Sequence, residues 1–234
     1  MVKRSRPGPL RYFLVLSLHP PYALLVLAAV VAIGVTTTVL DRKELDGGLG
    51  MVLFTQMFLA STGFVARARR GHFDPLLAGG TTRARIAAAH WAASIAPGAI
   101  AWAILAGIGA AAGAPDALSA IGGARAAALL IVSALSWAAG FWLPRGAAGM
   151  LWMALLMGLV VQRPELLAAP TGAGSVSTLI LHIVSLAACP FLLLGQHPPL
   201  APGALAGSLV LSIAAMCAVW RRAAVLDVYL LDRS

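Results

Sequence analysis

Between Ile86 and Ala112 the chain carries no charged side chain, and apolar runs of comparable character recur from end to end. A helix of about 20 apolar residues spans the hydrocarbon core of a bilayer. Within that core a helix is stable because it satisfies its own backbone polar groups. A chain that repeats such runs is expected to be all-α and polytopic. Composition agrees, with 60% of its 234 residues hydrophobic, 11% charged and a mean hydropathy of +0.90. Soluble domains carry about 25% charged residues. The runs leave room for about six or seven spans and no separate soluble domain. The net charge is +9, but the bases sit beside the apolar runs. That placement points to orientation and anionic headgroups, with no nucleic-acid partner expected.

Lys3, Arg4, Arg6 and Arg11 open the chain, and Pro7 and Pro9 oppose an early helix. A basic start of this kind resembles a signal peptide, but the apolar run that follows is long and lacks a convincing cleavage site, so it is expected to be retained. Residues 10–18 are apolar but short and are stopped by His19-Pro20-Pro21. Residues 1–21 are therefore expected to form a cytosolic, interfacial N-terminal segment. Spans are expected over residues 22–40, 51–66, 86–112, 126–143, 147–161 and 204–220, with Pro97-Gly98 kinking the third. Residues 41–50 and 113–123 read as external turns, and Pro144-Arg145-Gly146 as a tight cytosolic one.

Residues 162–203 are expected outside. Within them the apolar stretch 175–195 enters the membrane and turns back, as a broken segment does where protein covers it. In this arrangement thirteen Lys and Arg are cytosolic and four are external, namely Arg42, Lys43, Arg125 and Arg163. That asymmetry predicts six spans with both termini cytosolic. Gly109 with Gly113, and Gly203 with Gly207, have the spacing of close helix contacts, though glycine is too abundant here for the spacing to mean much.

The one long polar interruption is residues 67–85 (RARRGHFDPLLAGGTTRAR), which hold five arginines and a single acid, Asp74. Short cationic loops stay in the cytosol. Within this one lies a small apolar island, Phe73 to Ala78, which is either a grip for a partner or a rest on the bilayer surface. Six spans, an interfacial N-terminus, this loop between spans two and three, and a broken segment before the last span form a recognisable pattern. It resembles the membrane subunit of ABC-2 type ABC transporters, on Ala68-Arg69-Arg70-Gly71-His72-Phe73-Asp74-Pro75-Leu76-Leu77, then Thr81-Thr82-Arg83 and Ile86. Two positions depart from that family's pattern. Arg69-Arg70 stand where an acid is usual before the glycine, and Ala78-Gly79-Gly80 replaces a proline-containing turn.

The resemblance implies that residues 67–85 are a coupling loop docked in a groove of an ATPase subunit, with Arg70, His72, Phe73, Leu76 and Leu77 as contacts. It also implies a second permease copy or a related permease, a bacterial-type inner membrane, and export. The permease of a cytochrome c maturation exporter has similar size and topology and is an alternative within that class.

The chemistry missing from the chain is consistent with that picture. A phosphate-binding loop needs a Gly-Lys pair, and the only lysines, Lys3 and Lys43, follow Val2 and Arg42. The chain is thus not expected to be an enzyme, nor to hold a cofactor. ATP and Mg would belong to the partner. All eight acids fall in loops or the tail, whereas ion-coupled carriers keep a carboxylate near the midplane. Energy supplied from outside the bilayer is favoured.

His90 and His182 lie in or beside apolar runs, which raises an alternative class, a structural or haem-bearing subunit of a respiratory complex. Interfacial or hydrogen-bonded histidines are the simpler reading. Met150, Met153 and Met157 share a helix face, a packing stripe before it is a copper path. Cys189 and Cys217 read as buried thiols without metal spacing, and the tryptophans mostly as interfacial anchors.

Overall fold

Pro9 opens the first helix at the position where a missing N–H costs nothing. The computed structural model describes residues 8–18, 45–60, 64–113, 123–143 and 202–225, with 28, 31–32, 147, 150–151, 183–184 and 186–190. Among the described residues the regular elements are helices: α1 Pro9–Leu18, α2 Leu45–Ala60, α3 Phe64–Arg69, α4 Asp74–Ala78, α5 Arg83–Ala111, α6 Gly123–Trp142 and α7 Pro202–Val225. Three of them, α5, α6 and α7, are long and apolar enough to cross a membrane. The chain is therefore read as a membrane protein. The expected spans at 22–40 and 147–161, the turns at 113–123 and 144–146, and the re-entrant stretch 175–195 lie largely outside the described residues.

Several boundaries differ from the sequence reading, each for a local reason. Helix α2 starts at Leu45, inside the stretch expected to be an external loop. Glycine costs a helix about 1 kcal/mol, but here Gly48 and Leu49 are buried against neighbours and the packing outweighs that cost. Of the expected span over 51–66, residues up to Ala60 belong to α2 and those from Phe64 to α3, and 61–63 lie outside the described residues. Helix α5 takes in Arg83 and Arg85 because Thr82 caps it, its hydroxyl accepting from the Arg85 N–H at 3.4 Å. Helix α7 runs past Arg221 and Arg222, good helix formers that suit the negative end of the helix dipole.

Helix α5 packs on α1 and α2, and α6 bridges α2 and α7. Phe13 of α1, Phe73, Phe141 of α6, and Val219 and Ala223 of α7 belong to one buried cluster. The basic loop, α1 and the C-terminal ends of α6 and α7 thus share one end of the bundle. At mid-height α2 meets the proline of α5. Pro97 cannot donate to the carbonyl one turn back, which loosens the backbone bonding around it. The Gln56 side chain inserts there: its Nε2 donates to the Ser94 carbonyl at 2.8 Å and to Ser133 Oγ of α6 at 3.0 Å. A Cβ at Gly98 would lie 2.5 Å from Gln56 Oε1, so only glycine leaves room for this insertion.

Candidate functional site

The loop between α3 and α5 is an ordered turn built from the backbone upward. Gly71 sits at φ +71°, and a Cβ there would come within 2.9 Å of Asp74 Oδ2, so glycine serves both conformation and space. The Gly71 carbonyl accepts from the Asp74 N–H at 3.1 Å, and the Phe73 carbonyl accepts from the Leu76 and Leu77 N–H groups, each at 3.0 Å. Pro75 lies in the first turn of α4, where proline is tolerated. The turn closes when the Gly80 N–H donates to the Leu77 carbonyl at 2.9 Å and the Thr81 N–H to that of Leu76 at 3.1 Å.

The five expected contact residues divide by direction. Phe73 and Leu76 point inward, at 2% and 7% exposure. Leu77 is half-buried against the same cluster. Arg70 and His72 are exposed. Within the apolar island the two largest buried side chains, Phe73 and Leu76, are thus turned inward, and Phe73 acts as a plug.

Phe73 enters a bed of aromatic rings. Its centroid is 4.8 Å from Phe64 and 5.5 Å from Phe13, the latter edge-on. Phe64 stacks on Phe141 at 5.2 Å, and His90 lies 5.0 Å from Phe13 and 5.3 Å from Phe64. Such pairs contribute about 0.5–1.5 kcal/mol each beyond area burial. Trp137 Nε1 donates to His90 Nδ1 at 2.8 Å, closing the bed from α6. From α1, the Tyr12 hydroxyl donates to the His72 carbonyl at 3.0 Å. Residues from α1, α3, α5 and α6 thus converge beneath one five-residue helix.

Several of these partners were not marked by the sequence. Phe13 lies in a segment whose sequence marks it only as interfacial, and the sequence gives Trp137 no feature that separates it from interfacial anchors. Trp137 and Trp102 are in fact buried, while Trp142 and Trp220 are exposed as anchors would be. Cys189 is buried as expected, but Cys217 is exposed on α7. His90 is a hydrogen-bonded packing residue. Its ring is packed between Phe13 and Phe64 and accepts from Trp137 at Nδ1. His182, Met153 and Met157 lie outside the described residues.

No protein-family model matches the chain, and no curated protein or solved structure matches it. Any functional reading therefore comes from the loop and its bed.

Proposed function

We propose that this chain is the membrane-spanning permease subunit of an ATP-driven exporter of ABC-2 type. It has six spans with a re-entrant segment before the last, and sits in a bacterial-type inner membrane with both termini cytosolic. Its partners are a separate ATPase subunit, which holds ATP and Mg, and a second permease copy or a related permease. The single observation that supports this reading most is the seat of α4. Phe73 and Leu76 seat the short helix in a buried cluster shared with α1, α5 and α6, while Arg70 and His72 stay outside. A load applied to the outer side of α4 reaches a candidate spanning helix after only four residues, Gly79 to Thr82.

The test is to tag the chain, extract it gently from native membranes, and identify co-purifying proteins by mass spectrometry. A soluble ATPase in stoichiometric amount is the expected result. Respiratory subunits with no ATPase would sink the reading and leave the loop as a topology signal.

A further inference from the structure

We propose that the exposed face of residues 70–85 docks an acidic patch on a soluble protein. The proposal rests on the permease reading and assigns the chemistry of its partner. Among the described residues no large hydrophobic side chain is exposed between Phe58 and Ile100. An apolar groove, or an acyl chain, has little to hold here, because Phe73 and Leu76 are already spent inside. What the loop offers outward is charge. Arg70 and Arg85 are exposed, and Arg11 is exposed beside Tyr12, whose hydroxyl bonds the loop. Within residues 70–85 the single acid is Asp74, held over Gly71. The balance is cationic, and opposite charge on a partner is the complement that steers and orients docking.

The same end of the bundle shows what a headgroup-facing patch looks like, and it differs. Arg221 and Arg222 of α7 lie beside Trp142 and Trp220, exposed at 58% and 39%, and the Arg222 guanidinium sits 6.0 Å from the Trp142 ring centroid. Bases interleaved with exposed tryptophans belong at a membrane interface. The loop has the bases without the aromatics, so it faces water and a protein. Its backbone is hydrogen-bonded in place before any partner arrives, so little ordering opposes docking.

The test uses the full chain in native membranes, with the photo-crosslinker p-benzoylphenylalanine replacing exposed His72. The expected product is a soluble protein joined through an acid-rich peptide. Its yield should fall about tenfold between about 50 mM and about 500 mM NaCl, because exposed charge pairs are screened. A similar fall is expected in the Arg70→Glu/Arg85→Glu variant, whereas Arg221→Glu/Arg222→Glu should leave the yield within about twofold. Crosslinks to phospholipid alone, crosslinks to an apolar peptide, no crosslinked protein, or yields indifferent to salt and charge reversal would each overturn the proposal. The two readings separate cleanly. An acid-docked partner that is not an ATPase removes the permease reading and keeps this one, and an ATPase held without regard to charge does the reverse.

Discussion

At Gly98 the space of a missing side chain is filled from another helix. Gln56 reaches across from α2, and its amide bonds both the Ser94 carbonyl and the Ser133 hydroxyl. A Gly98→Ala change should expel that amide and leave these groups to find other partners. A loss of about 1–3 kcal/mol is expected, the cost of stranding a buried polar group. At Gly107, on the same helix, an added methyl would meet nothing within 4 Å. There Gly107→Ala should instead stabilise by up to about 1 kcal/mol through helix propensity. Thermal unfolding in detergent reads both, and equal shifts of one sign would refute the insertion of Gln56. The sequence exposed the pair Pro97-Gly98 but not its partner. Gln56 is a lone amide in an apolar run, and its role depends on a helix 38 residues away in sequence. His90 was similar: its polar nature was visible, while its donor, Trp137, lay 47 residues on.

Among the elements, α1 and α4 depend on each other more than their lengths suggest. A helix of five residues has no stability of its own. Helix α4 exists because Phe73 and Leu76 are buried, and Phe13 supplies part of the floor. This floor is at an end of the bundle, where water is the competing solvent and apolar burial drives assembly. Deeper contacts, such as those along α6 and α7, rely on packing and hydrogen bonds. Phe13→Ala should cost about 3–5 kcal/mol locally. Hydrogen exchange should then quicken through α1 and residues 70–80 while the middle of α6 stays protected. Unchanged protection in the loop would show that α4 stands without α1. The apolar island was legible as an anomaly in a basic loop. Its direction was not, because five residues carry too little periodicity to show which face turns inward.

For the whole molecule, the helical class and the membrane setting followed from apolar runs such as 86–112, whose length and lack of charge admit few alternatives. The three candidate spans match runs found in the sequence, with ends moved by Thr82, Pro202 and the arginines of α7. The order of the remaining segments lies outside the described residues. A direct check is single-cysteine labelling on a background without Cys189 and Cys217. Ala78→Cys, before α5, and Ala112→Cys, after it, should react with an impermeant maleimide from opposite sides of the membrane. The arginine-rich loop should put Ala78→Cys on the cytosolic side. Labelling of both from one side would mean that α5 does not cross.

The position of Pro97 has a mechanical consequence. It is the middle residue of the 29-residue α5, so the helix is a lever with two equal arms of about 21 Å. A bend of about 10° at the centre displaces either tip by about 4 Å, close to one helical radius and a half. The near tip continues through Thr82 into the α4 turn, and the far tip ends at the opposite surface. At the fulcrum α2 and α6 grip the lever together, through the Gln56 amide. Loosening that amide would free the two arms to bend about Pro97 with less resistance.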